Sequence, residues 1–285
     1  MDVEIHQVVR ELKERGRHHQ VAALCANLEN QRVVFSGSAF FYIDAKRAYQ
    51  ILEGVLPVLK RSFWPHTNMT KILKTPTSKG VKQTKKRRGA RGAAAPVAKK
   101  ANIGKGRFFG SIQGKQVHSE TEDFILLDEK NFRKKHGGTM HDWTRRLLMD
   151  LIGRMRLYPI QCEFKVGDLA LRMGTAIDMI CVNPATGHLV FLELKTGHAD
   201  YFENTDGTMM RRSLKFLRNS PLNWANVQLT TGVLLLLRQN PTLNLDHTRS
   251  YVVRIDDQDL FYYALDNEFI RRMRPILLND LVSEK

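Results

Sequence analysis

The sequence predicts an α/β fold in which helices pack on a mixed central β-sheet, and three observations carry that expectation. Apolar residues recur at spacings of three and four in several stretches, the period of an amphipathic helix. Between residues 160 and 195 they instead form three strand-length runs. Strand and helix patterns then alternate to residue 281, so helices and sheet must layer against one another.

In chain order, residues 1–73 read as an N-terminal helical extension. Val8, Val9 and Leu12 are followed by Val21, Leu24, Cys25 and Leu28 at helical spacing. Asp44 can cap a further helix carrying Tyr49, Leu52, Val55, Leu56 and Leu59 on one face. Residues 74–112 read as a flexible basic linker, and residues 113–285 as one globular domain. That domain should open with helices over Val117–Leu127 and His141–Leu157. Strands over Ile160–Val166, Leu169–Val182 and Leu189–Lys195 follow. Ser220-Pro221 is an N-cap and N1 pair for a helix reaching about Leu237. Strands over Tyr251–Ile255 and Phe261–Leu265, then a helix over Asn267–Leu281, complete the domain.

Composition narrows the function. With 285 residues and 42% hydrophobic content the chain can bury a core, which excludes a wholly disordered or fibrous protein. Its net charge of +16 implies a polyanionic partner. Lys74–Arg107 holds 12 Lys and Arg and no acid, so the rest of the chain carries 33 bases against 29 acids. The surplus therefore sits in the linker, whose low hydrophobicity and like charge oppose folding. Lys85, Lys86, Arg87 and Arg88 can contact the phosphates of nucleic acid by counterion release. The same cluster, over residues 85–91, also fits a nuclear import signal or a solubilising tether. Three scattered cysteines suit an intracellular, reducing compartment rather than a disulfide framework or a zinc cluster. Met-Asp-Val-Glu-Ile-His lacks an apolar signal region, and the longest apolar run is Val233–Leu237, so no membrane association is expected.

The chemistry concentrates between Gly174 and Gly197. Asn183-Pro-Ala-Thr-Gly187 is turn chemistry between two apolar runs and predicts a β-hairpin. If Asn183 pairs with His188, paired positions sum to 371, and Asp178 lies across from Glu193 on the same face. Lys195 shares that face and stands across from Ala176, which leaves room around the amine. Two facing carboxylates repel unless a cation sits between them. Asp178 and Glu193 suit a divalent ion, with Lys195 placing a water or stabilising charge on a phosphate. Hard oxygen donors favour Mg²⁺ or Mn²⁺ over zinc. The plainer alternative is an edge whose acids and lysine form surface salt bridges.

Asp178 followed by Glu193-Leu194-Lys195 resembles the D…(D/E)-x-K signature of the PD-(D/E)XK nuclease superfamily, with Ile177 where a proline often stands. Gly114-Lys-Gln-Val117-His118 resembles the G-x-x-V-H segment of its RecB-like, lambda-exonuclease-like branch, which includes the mitochondrial genome maintenance exonucleases. Glu122 lies one turn further on. Gly174–Asp178 is similar to that branch's G-x-x-x-D strand, and Lys195-Thr-Gly197 to its K-T-G ending. Gln228-Leu229 resembles its Q-x-x-x-Y motif, with Gly232 in place of the tyrosine. The resemblance spans about residues 110–265 and implies a restriction-endonuclease-like core. It implies that His118 is a metal ligand or orients one, that Asp178 and Glu193 hold the metal, and that Lys195 assists the attacking water. Gln228 would then help to position the site or substrate.

Other residues compete for these roles. His141 also follows glycine at a helix entry and rivals His118, although its helix continues with Arg145-Arg146. Glu163 can add a carboxylate from the preceding strand but reads as an ordinary strand residue. Arg211, Lys215 and Arg218 would share one face of a helix, suited either to phosphates or to solvent. Trp143 and Trp224 can stack on bases or fill the core. The expected function is a metal-dependent nuclease, foremost a Mg²⁺-dependent DNA exonuclease of replication, repair or recombination, with RNA also open as substrate. The alternatives are a non-catalytic nucleic-acid-binding protein retaining the nuclease fold and an assembly protein docked through the basic linker.

Overall fold

The computed structural model describes residues 33–36, 39–43, 49–65, 103–127, 129–183, 185–197, 202–241 and 243–282. They form an eight-stranded mixed sheet with helices on both faces. The strands are β1 (Val33–Ser36), β2 (Ala39–Ile43), β3 (Tyr49–Gly54), β4 (Tyr158–Asp168), β5 (Met173–Val182), β6 (Leu189–Thr196), β7 (Thr248–Ile255) and β8 (Leu260–Leu265). The helices are α1 (Val55–Phe63), α2 (Ile103–Leu126), α3 (Glu129–His136), α4 (Asp142–Met149), α5 (Pro221–Gln239) and α6 (Asn267–Val282). No helix among the described residues is long and apolar enough to cross a membrane.

The predicted strands and the later helices appear within a few residues of their expected ends. The stripe Tyr49–Leu59, expected on one helix, divides between two elements. Tyr49–Gly54 is strand β3, and α1 starts only at Val55. Leu52 and Leu59 are both buried, but from different elements. Their helical spacing straddles a strand–helix junction at Gly54. β3 also joins the main sheet, pairing parallel with β5 at Glu53–Met173 and Gly54–Gly174. The meander β1–β3 thus extends the sheet. Helix α2 begins at Ile103, inside the expected linker, and α3 was not foreseen. The helix expected over His141–Leu157 ends at Met149 and continues as a π-helical turn over Asp150–Arg154. The helices expected before residue 33 lie outside the described residues, as does the linker up to residue 102.

Glycines allow the meander to approach. Gly167 and Gly174 face each other in the β4–β5 register. A Cβ on Gly174 would meet Phe40 Cβ at 2.9 Å, and one on Gly167 would meet Leu52 Cδ1 at 2.6 Å.

Two cores flank the sheet. One unites α1, α5 and α6 with Leu189, Phe191 and Val252; the other unites α2 and α4 with Val190, Leu192 and Leu194. β6 therefore alternates between the two layers, residue by residue, as a strand buried on both faces must. Ser220 caps α5 by accepting from the Asn223 amide at 3.2 Å, with Pro221 in the first turn.

Replacing Gly174 with valine should force Phe40 and the meander away from β5. Urea denaturation is expected to show a loss of about 1–3 kcal/mol.

Candidate metal and catalytic site

The hairpin turn sets the register. Gly187 takes φ 70, and the Asn183 side chain accepts from the amides of Ala185 and Thr186 at 2.9 and 3.3 Å. The Asn183 amide donates to the His188 carbonyl at 2.9 Å, and pairing runs from Val182–Leu189 to Met179–Leu192. The register sum of 371 holds. The ladder then stops, one pair short of Asp178 and Glu193. β6 leaves β5 there and stays paired with β7 as far as Thr196–Ile255. With the β5–β6 ladder ended, Ala176 does not stand across a ladder from Lys195 as expected and keeps only its pairing with Lys165 of β4.

Asp178 bridges the resulting fork. Its Oδ2 accepts the Leu194 amide at 2.7 Å, supplying the hydrogen bond that the parted backbones no longer make. The side-chain alternation slips at the same level. In β5, Ile177 packs with the α5 layer and Met179, two residues on, with the α2 layer. In β4, Phe164 belongs to the α5 layer, whereas Cys162 packs against the α2 side. Asp178 and Glu163 occupy the slipping positions. The Glu163 backbone has φ 48, a left-handed conformation inside a strand.

Helix α2 delivers the histidine. A Cβ on Gly114 would collide with Thr196 Oγ1 of β6, so this glycine lets the helix rest on the strand. His118, one turn further on the same side, then reaches the acids. Its Nδ1 lies 2.7 Å from Glu163 Oε1 and its Nε2 lies 3.9 Å from Asp178 Oδ2. Lys195 Nζ holds Glu193 Oε1 at 2.5 Å. A cleft of about 400 Å³ opens beside them, lined by Gly114, Lys115, His118, Ser119, Glu122 and Glu163.

Burial dominates the electrostatics. Glu193 is 1% exposed, and burial together with the Asp178 charge pushes its carboxyl up to about 7 despite Lys195 and His118. Burial and the Glu163 charge raise Asp178, against the opposing pull of His118, Lys195 and the Leu194 amide. Burial disfavours the charged His118 ring, but Glu163, Asp178 and Glu193 outweigh it and raise its pKa. Burial also opposes the Lys195 charge, which Glu193 and Asp178 more than restore.

One donor atom each from His118, Glu163 and Asp178 lies within 4.8 Å of the others. Two carboxylate oxygens and an imidazole nitrogen can together hold a divalent cation, whose charge would offset the crowded carboxylates. This trio differs from the expected set of His118, Asp178 and Glu193. Glu163 takes a place in it, while Glu193 is engaged by Lys195. In the sequence Glu163 reads as a plain strand residue, because nothing in its neighbourhood signals a left-handed backbone.

The remaining candidates fall elsewhere. His141 caps α4, its Nδ1 accepting the Trp143 amide at 3.2 Å and its own amide donating to Glu120. Gln228 is half-buried on α5 and has no hydrogen bond to these site residues among the described residues. A Cβ at Gly232 would lie 3.2 Å from Ile177 Cγ1, so that position packs close against the sheet. Arg211, Lys215 and Arg218 do not share a helical face. Only Arg212–Leu214 forms a 3₁₀ turn, in a loop pinned by Met210 to Leu217 and Arg211 to Phe63 backbone bonds. All three side chains are exposed. Trp143 is core, and Trp224 stacks on Trp64 at 5.4 Å. Lys85, Lys86, Arg87 and Arg88 lie outside the described residues.

No family model matches this chain, and no curated protein is recognisably similar to it.

Glu193 also predicts a pH dependence. Its acidity is weaker in the folded than in the unfolded chain, so its contribution to stability is fully present below about 4.5 and is lost as pH rises through about 7. Between about pH 5 and pH 8 the metal-free protein should lose about 2 kcal/mol through this group. Urea denaturation in chelator should show that fall, and Glu193→Gln should remove most of it.

Proposed function

We propose that the protein is a metal-dependent nuclease with a restriction-endonuclease-like core. In this reading it belongs with the RecB-like, lambda-exonuclease-like PD-(D/E)XK enzymes and acts as a DNA exonuclease in replication, repair or recombination. The observation that carries this reading is the convergence of His118, Asp178, Glu193 and Lys195, from three elements, on the fork between β5 and β6. A binding surface for nucleic acid needs no buried carboxylates, which repel phosphate. A hydrolytic centre does, because they hold the cation that offsets both charges.

Mg²⁺ or Mn²⁺, when bound, supplies Lewis-acid stabilisation and an acidified water. Asp178 has one oxygen tied to Leu194, which fixes the orientation of its carboxylate. His118 offers Nε2, 3.9 Å from Asp178 Oδ2. Glu193 anchors Lys195, whose ammonium can orient the attacking water and stabilise charge on the scissile phosphate. The exposed Arg211, Lys215 and Arg218, with Lys85–Arg88, supply contacts to the DNA backbone.

Cleavage of end-labelled linear and closed-circular DNA tests this reading. Wild type should degrade linear DNA with Mg²⁺ or Mn²⁺, spare the circle and be silenced by chelator. Asp178→Asn, which keeps an oxygen for the Leu194 amide, should abolish cleavage. Lys195→Ala should lower it by about 10²–10³-fold with unchanged circular dichroism. Full activity in either variant sinks the site assignment, and a wild type that binds DNA without cutting it sinks the enzymatic reading.

A further inference from the structure

We infer that Glu163 is a positioning residue that fixes the ring of His118 for cation binding. Its carboxylate accepts a hydrogen bond from Nδ1–H and so leaves the Nε2 lone pair on the side of Asp178. Glu163 has this role only if His118 and Asp178 share a cation, as proposed above.

Three independent features place it there. The first is the contact itself: an ionised carboxylate only accepts, so the 2.7 Å approach of Nδ1 to Oε1 puts the ring proton on Nδ1. Nε2 is then the free donor, 3.9 Å from Asp178 Oδ2. A cation with metal–ligand bonds of about 2.1 Å spans such a gap. The second is register. Cys162–Met179 and Phe164–Ile177 bracket Glu163 and Asp178, so the two acids stand across from each other on neighbouring strands. An unmodified strand would leave their side chains side by side and repelling.

The third is the backbone. Glu163 adopts φ 48, which side-chain-bearing residues avoid. A left-handed residue within a strand re-aims its side chain. Here the turn carries the carboxylate to the α2 layer and onto His118. Backbone outliers of this kind gather where side-chain direction matters more than local stability. Histidines that bind metals commonly hand their second nitrogen to a carboxylate, which sets the tautomer and strengthens the donor.

The test uses the full chain. Glu163→Gly removes the carboxylate while accommodating the left-handed backbone, so the fold should survive. Glu163→Gln keeps an oxygen that can accept from Nδ1. Nitrogen-15 NMR of the metal-free protein reads the His118 tautomer, and calorimetric titration with Mn²⁺ reads affinity. Wild type and Glu163→Gln are expected to hold the proton on Nδ1. Glu163→Gly should populate the Nε2-protonated ring and bind Mn²⁺ about 10–100-fold more weakly, and Glu163→Gln should recover most of that affinity. An unchanged tautomer in Glu163→Gly overturns the inference. If Glu163→Gln restores the tautomer but not the affinity, the carboxylate is itself a ligand and the positioning role is overturned. A wild type with the expected tautomer but no Mn²⁺ binding overturns the nuclease reading and, with it, the purpose assigned to Glu163.

Discussion

The hydrogen bond from the Leu194 amide to Asp178 Oδ2 is the interaction on which the rest of the site depends. β5 and β6 part after Met179–Leu192, which strands backbone groups that the ladder would have satisfied. A carboxylate acceptor is well suited to fill that gap, because charge-assisted hydrogen bonds are about twice as strong as neutral ones. The bond closes the fork at its root while leaving its mouth open. β6 beyond it is not loose, since β7 holds Glu193 to Val252 and Lys195 to Arg254. The sheet therefore stays continuous on one side of β6 and open on the other.

This arrangement gathers charges that would not be buried together without a further purpose. Among the described residues, Lys195 and His118 are the cationic groups in contact with Glu163, Asp178 and Glu193. Burial raises both Asp178 and Glu193, reinforced by the Glu163 charge at the first and the Asp178 charge at the second, and a divalent ion would favour their ionised forms. Lys195 is raised in turn by the same acids and remains an ammonium. Its contact with Glu193 thus serves two ends: it stabilises the most buried of the three site carboxylates, and it fixes a flexible cation at the edge of the site.

Much of this was legible in the sequence because it follows from short-range rules. Asn183 and Gly187 specify the turn, the turn specifies the sum of 371, and the sum places Asp178 across from Glu193. Gly114 and His118 are spaced by four, so the glycine that lets α2 touch Thr196 also aims the histidine. What sequence patterns missed depends on long-range contacts. The run from Tyr49 to Leu59 matches a helix as well as it matches a strand followed by a helix, and only pairing with β5 decides between them. Arg211, Lys215 and Arg218 show helical spacing, but the loop closes on itself through Met210 and Leu217. Glu163 carries no local signal, because its direction comes from a backbone torsion imposed by two strands changing layer together.

That shared change of layer explains why the acids cluster where they do. A strand buried on both faces alternates between two apolar cores, so an acid on it either takes up a core-facing position, as Glu193 does in β6, or sits at a break in the alternation. At the slip, one residue in each strand belongs to neither core: Asp178 in β5 and Glu163 in β4. Those two positions can carry carboxylates without displacing an apolar contact from either layer. A sheet with strict alternation would have to surrender core packing on one face to place the same acids, at about 2–5 kcal/mol for each large apolar side chain lost. The slip removes that penalty, and its own cost is confined to one left-handed residue and one interrupted ladder, which Asp178 itself repairs.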